Sequence, residues 1–131
     1  NSLKNMNMEY LGVVLAGNEQ TKYLEYNKQD YEKVLKEKKK ILLYFYANWC
    51  RICKNEQQHL AAALEQIKDP ELIGFRINFN DNNVDDNEKE LAKQYGIAYQ
   101  HTKVLLKEGK QLLKSPEGWH RDRYLEELKK L

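Results

Sequence analysis

Cys50 and Cys53, the two cysteines of the chain, stand two residues apart in Trp49-Cys50-Arg51-Ile52-Cys53-Lys54. Thiols at that spacing suit reversible disulfide formation, in which one thiolate attacks a substrate disulfide and the other closes the pair. The surroundings favour this chemistry. Ile41-Leu42-Leu43-Tyr44-Phe45-Tyr46-Ala47, just upstream, is a continuous apolar and aromatic run, which suits a strand buried on both faces of a mostly parallel sheet. Downstream, Leu60, Ala63, Leu64 and Ile67 recur at helical spacing until Asp69-Pro70 stops the helix. A cysteine at a helix start meets unpaired backbone N–H groups and the positive end of the dipole, and both favour its thiolate. Two structural readings stand beside the redox one: a pair of small buried hydrophobes, or half of a zinc site. Zinc normally takes four ligands, and no second Cys-x-x-Cys or His-x-x-x-His is present to complete them.

The elements that must position the pair follow from pattern. Leu11 to Ala16 reads as a short strand or a packed lead-in, and Gly17-Asn18 as a turn. Tyr23 to Tyr26 is a first strand; Asn27, with Asp30 three residues on, starts a helix whose face carries Tyr31, Val34 and Leu35. The run Lys36 to Lys40 reads as that helix's solvated end, where cations suit the dipole. Leu72 to Phe79 forms a strand parallel to the central one, with Phe75, Ile77 and Phe79 on one face. Asp85 or Asp86 caps a helix bearing Leu91 and Tyr95, which Gly96 ends. The alternating Asp81, Asn83, Asp85 and Asn87 imitate a calcium loop, but the turn glycine is missing and Ala92 stands where a bidentate glutamate belongs. Lys103 to Lys107, a turn at Glu108-Gly109-Lys110, and Gln111 to Lys114 make a hairpin whose last strand lies at the sheet edge. Ser115-Pro116-Glu117-Gly118 breaks the chain before a closing helix marked by Tyr124, Leu125, Leu128 and Leu131. The order β-α-β-α-β-α-β-β-α predicts an α/β domain, a central mixed sheet covered by helices on both faces.

Composition bounds the function. The 131 residues suffice for one hydrophobic core, and 41% apolar with 32% charged content excludes disorder. No stretch is long and apolar enough to cross a membrane. With 22 basic residues against 20 acidic the net charge is +2, and no basic stripe predicts nucleic-acid binding. Residues 1 to 20 are expected to be a polar lead or tether, and residues 21 to 131 the domain.

From about Tyr23 to its end the chain resembles the thioredoxin superfamily. Tyr44 through Lys54 is similar to the family's strand, tryptophan and active-site motif, and Tyr95-Gly96-Ile97 followed by His101-Thr102 resembles the segment that carries its cis-proline. Tyr99-Gln100-His101-Thr102 narrows the resemblance to bacterial extracytoplasmic thioredoxin-like proteins. It implies a three-layer α/β/α sandwich and a thiol–disulfide oxidoreductase that works without a cofactor or metal. It further implies a monomer, protein substrates with disulfides or dithiols, a membrane electron donor and a place outside the cytoplasm, with a cytoplasmic place as the alternative.

The same resemblance assigns roles. Cys50, one turn ahead of Cys53, is the more exposed sulfur and the nucleophile; Cys53 resolves the mixed disulfide. Arg51 and Lys54 add positive charge beside the sulfur or simply face solvent, and Arg51-Ile52 replaces the Gly-Pro of ordinary thioredoxins. Trp49 covers the disulfide or sits at the core edge; with Ile52 and Tyr99 it offers apolar surface to a partner. Tyr44 stands where many members carry a buried aspartate that handles the second cysteine's proton, and a phenol is a poor base near neutral pH. Glu56, three residues after Cys53, can assist, but an exposed surface glutamate is the expectation. His101, between Gln100 and Thr102, replaces the cis-proline; a trans peptide is expected there, since the cis form costs ~3 to 4 kcal/mol without proline. Its imidazole can bond the sulfur, shuttle a proton, join Cys50 and Cys53 as a metal ligand, or pack as an ordinary loop residue. Arg76 replaces a strand lysine and either lends charge to the dithiol or decorates the sheet. His59 and His120 show no partner spacing and are expected at the surface. Two other classes therefore stand beside the enzyme: a metal or iron–sulfur module built on Cys50, Cys53 and His101, and a redox-inactive interaction domain.

Overall fold

Residues 9–131 are described by a computed structural model of the chain. Residues 1–8 of the expected lead lie outside the described residues. The elements run β1 (Val14–Gly17), β2 (Lys22–Glu25), α1 (Lys28–Lys36), β3 (Lys40–Tyr46), α2 (Arg51–Gln66), β4 (Leu72–Asn78), α3 (Asp86–Gln94), β5 (Thr102–Lys107), β6 (Lys110–Ser115) and α4 (Arg121–Lys129). The strands form one mixed sheet in the order β1-β2-β4-β3-β5-β6. β2, β4 and β3 are parallel, and β1, β5 and β6 pair antiparallel to their neighbours.

β3 is central, paired by β4 and β5, and residues 41–45 are buried on both of its faces, which is why that run is apolar. Side chains alternate along it and divide the core in two. Ile41, Leu43 and Phe45 face a cluster with Tyr31, Val34, Leu91 and Ala92, from α1 and α3. Leu42 and Tyr44 face the opposite cluster with Cys53, Leu60, Ala63, Leu64, Tyr124 and Leu128, from α2 and α4. The α/β/α sandwich with a mixed sheet is therefore the observed architecture. Tyr44 is carried, by the parity of one strand, onto the face beneath the dithiol helix.

Local signals act as their chemistry requires. Asn27 caps α1 by accepting the Asp30 N–H at 3.1 Å. Asp85, not Asp86, caps α3 in a reciprocal box with Glu88, so the resemblance to a calcium loop resolves into helix capping. The β5–β6 turn is two residues, Glu108 and Gly109, both at positive φ, and Lys110 already belongs to β6.

Within the expected lead, Tyr10 is buried and β1 joins the sheet as its first strand. Asp30 draws this segment in by accepting the N–H groups of Leu11 at 2.8 Å and Gly12 at 2.7 Å. The lysine run is not one helix end: α1 stops at Lys36, Lys38 turns left-handed (φ 58°), and Lys40 opens β3 beside Asp69. His120 is exposed and His59 half-buried, and their ring centroids lie 4.5 Å apart where α2 passes the start of α4.

Candidate active site

β3 ends at Tyr46, and Ala47 to Trp49 lead directly into α2, whose N-cap is Cys50. Cys50 Sγ accepts the Cys53 N–H at 3.0 Å, and the Cys50 N–H donates to Ala47 O at 3.0 Å. No acidic side chain occupies the first turn of α2, so nothing opposes the positive end of its dipole at the sulfur. Both cysteines are free thiols, with Cys50 4% and Cys53 0% exposed. Burial pushes the Cys53 thiol up to about 12, with the Cys50 thiol adding to the rise and the Ala47 backbone and the Tyr44 hydroxyl opposing it. At neutral pH Cys53 therefore stays a protonated thiol unless a base takes its proton.

Beneath Cys53 lies a polar cluster inside the apolar core. Glu56 is 2% exposed, which corrects the expectation of a surface glutamate. The reason is periodicity: Cys53, Glu56, Leu60, Ala63 and Leu64 form the single buried stripe of α2. Burying a carboxylate is costly unless it is paired and hydrogen-bonded, and this one is. Tyr44 Oη donates to its Oε1 at 3.2 Å, the Tyr124 hydroxyl donates to Oε2, and Lys103 Nζ lies 2.5 Å from Oε2. Lys103, wholly buried on β5, also donates to the Glu117 carbonyl and lies over the rings of Tyr44 and Trp119. Its ammonium is held below the ordinary lysine range by burial, which the Glu56 charge opposes. Burial and the same carboxylate push the phenols of Tyr44 and Tyr124 upward, so both stay protonated donors. Sequence reasoning missed Lys103. Its one signal was a lysine inside an otherwise apolar inner strand, Lys103-Val104-Leu105-Leu106.

The other candidate residues divide between the rim and elsewhere. Trp49, Ile52 and Tyr99 are 55%, 57% and 63% exposed, and Arg51 and Lys54 face solvent. Trp49 is held by its indole N–H on Asn80 O at 2.8 Å, while Asp81 accepts the Asn48 N–H at 2.7 Å. The segment Gln100-His101-Thr102 joins the same end of the sheet: the His101 N–H donates to Phe45 O at 2.7 Å, and Thr102 Oγ1 donates to Tyr99 O at 2.7 Å. Every described peptide bond is trans, including that before His101, whose φ is +54°. His101 Nδ1 is buried without a hydrogen-bond partner among the described residues. Cys50, Cys53 and His101 are not assembled as a three-ligand set, for no three His, Cys, Asp or Glu side chains converge on a metal position among the described residues. Arg76 Nη2 lies 3.4 Å from Glu25 and its guanidinium over the Tyr46 ring, while the buried cation under the dithiol is Lys103.

A thiol at a helix cap, a resolving thiol behind it and a strand-to-helix junction that presents them define a thioredoxin-type dithiol site. The family model described as Thioredoxin matches residues 22–130, and the chain belongs to the thioredoxin family, whose members are generally thiol–disulfide oxidoreductases. Protein disulfide-isomerase A5 of Bos taurus is 34% identical over 79 residues, which make up 60% of this chain and 15% of that protein, so the match spans a minor part of the relative's length. Trxlp of Edwardsiella tarda superposes with a TM-score of 0.67 at 23% identity, covering 79% of this chain and 95% of that one. Thioredoxin of Aeropyrum pernix superposes with a TM-score of 0.66 at 17% identity, covering 95% and 98%. At these identities the two structures show a shared fold.

Proposed function

We propose that the chain reduces or exchanges disulfides in protein substrates, with Cys50 as nucleophile and Cys53 as resolving thiol. The observation that carries this is the cap of α2, where Cys50 Sγ already accepts a backbone N–H that would stabilise its thiolate. The Cys50 thiolate attacks one sulfur of a substrate disulfide, forming a mixed disulfide and releasing a substrate thiolate. Cys53, once deprotonated, attacks Cys50 Sγ, forming the Cys50–Cys53 disulfide and releasing the second substrate thiolate. Two electrons pass from the dithiol to the substrate. The exposed Trp49, Ile52 and Tyr99 would give an apolar peptide its contact surface beside the sulfur.

The test is a trap. A Cys53→Ser variant should accumulate covalent adducts with substrate proteins through Cys50, released by dithiothreitol, and Cys50→Ser should accumulate none. A Cys53→Ser variant that captures nothing while wild type leaves substrate disulfides intact would make this a redox-inactive interaction domain. A place outside the cytoplasm and a membrane electron donor are part of the proposal, supported by the resemblance of Tyr99-Gln100-His101-Thr102 alone. Recovery of the native protein solely from the cytosolic fraction would remove both.

A further inference from the structure

Resolution by Cys53 poses a problem that its surroundings answer. The Cys53 sulfur must lose a proton before it can attack, yet it is fully buried among Leu60, Ala63 and Tyr44. Tyr44 packs with Cys53 in one core cluster, its hydroxyl is among the groups that act on the Cys53 thiol, and it donates to Glu56 Oε1 at 3.2 Å. The carboxylate is therefore one hydroxyl away from the thiol. Lys103, as an ammonium, carries donors and no acceptor, and the Tyr124 hydroxyl is already spent on Glu56 Oε2, so neither can receive the proton. Glu56 Oε1, although buried, lies next to the exposed Gly118, where a side chain would meet it at 3.7 Å. The charged and titratable groups around Glu56 are Tyr44 from β3, Lys103 from β5, Tyr124 from α4, Tyr23 from β2 and Cys53 from its own helix, with Arg123 acting on Lys103.

We propose that Glu56 is the proton acceptor for the resolving thiol, reached through the Tyr44 hydroxyl, with Lys103 and Tyr124 holding its carboxylate in place. This rests on the dithiol reading above. As the Cys53 sulfur attacks Cys50, its proton passes to Tyr44 Oη while the Tyr44 proton passes to Glu56 Oε1. The Cys53–Cys50 bond forms, the Cys50–substrate bond breaks, and the substrate leaves as a thiolate that solvent protonates. Glu56 ends as a neutral acid and returns its proton to solvent. Tyr44 never carries a charge, so a high phenol pKa is no obstacle to this role.

A bis(thionitrobenzoate) disulfide separates the two steps, because attack by Cys50 releases one coloured thiolate and resolution by Cys53 releases the second. Wild type, Tyr44→Phe and Glu56→Gln are compared in single turnovers across a pH series, with the first release of each variant as its internal reference. In both variants the second release should slow by about 10²-fold or more at neutral pH and climb about tenfold per pH unit as hydroxide replaces the lost acceptor. Wild type should depend on pH less steeply over that range. Tyr44→Phe retains the ring and the Lys103–Glu56 pair, so its result stands even if Glu56→Gln folds poorly. A second release within about threefold of wild type, with an unchanged pH profile, overturns the proposal. So does a slow Tyr44→Phe beside a normal Glu56→Gln, which would put the acceptor elsewhere. No first release from wild type would instead remove the dithiol reading itself.

Discussion

Lys103→Met is the sharpest test of how the buried cluster is held. Lys103 Nζ lies 2.5 Å from Glu56 Oε2, and the two side chains are 0% and 3% exposed. Breaking a pair this deeply buried leaves a charge without its partner, which typically costs about 3–5 kcal/mol. At about 2.1 cal/mol/K of unfolding entropy per residue, a 131-residue chain loses roughly 3.6 °C of Tm for each kcal/mol, so the variant should melt roughly 11–18 °C lower. Methionine fills much of the volume, and the Tyr44 and Tyr124 hydroxyls still serve the carboxylate, so the loss reports mainly on charge. Replacing both partners, as in Lys103→Met with Glu56→Gln, removes the orphan charge and should recover most of the stability, to within about 1–2 kcal/mol of wild type. The assay is urea unfolding of the four proteins under reducing conditions, with m held common, read as a double-mutant cycle. A single variant within about 0.5 kcal/mol of wild type, or a double variant no better than the single, would refute the argument.

Two further outcomes follow from the same geometry. Cys53 is raised from 9.0 to about 12, so between those values the unfolded chain has released a proton that the folded chain keeps; stability present below pH 9 should fall through that window by up to about 1.4 kcal/mol per pH unit, and Cys53→Ala should lose that part of the slope in urea titrations of reduced protein. Above about pH 10 the buried phenols of Tyr10, Tyr23, Tyr26, Tyr31, Tyr44 and Tyr124, all raised chiefly by burial, would leave a steep residual slope in that variant, so the Cys53 share is read between pH 9 and 10. Asp85→Ala removes the Asp85 side of the α3 capping box and should cost about 1 kcal/mol in urea unfolding without shifting the redox potential of the thiol pair; a shift in potential would mean that the 80–87 loop is coupled to the dithiol more tightly than through Asn48 and Trp49.

Much of this arrangement was legible in the linear chain because it is recorded locally. The unbroken apolar run of β3, the helical spacing after Cys53 and the Cys-x-x-Cys itself each depend on neighbours a few residues away, and they place the dithiol on its strand-to-helix junction. A cap at Asp85 or Asp86 and a tight turn within Glu108-Gly109-Lys110 are legible for the same reason, and the structure selects Asp85 and the pair Glu108-Gly109. Pairing between distant residues is not written that way. Glu56 looked like a surface glutamate because a single acidic residue on an amphipathic helix usually is one, and only the rotation of α2 against β3 and α4 shows that it shares the Cys53 stripe. Lys103 is 47 positions beyond it in the numbering; the β3–β5 register, with Tyr44 opposite Lys103, brings lysine, phenol and carboxylate together. Arg76, which matched a familiar place in the sequence, turned to Glu25 and Tyr46. The sequence by itself thus determined which thiols could react and on what kind of element. The tertiary structure decided what lies beneath them, because side-chain parity and helix rotation are set by packing the whole sheet and not by any one segment.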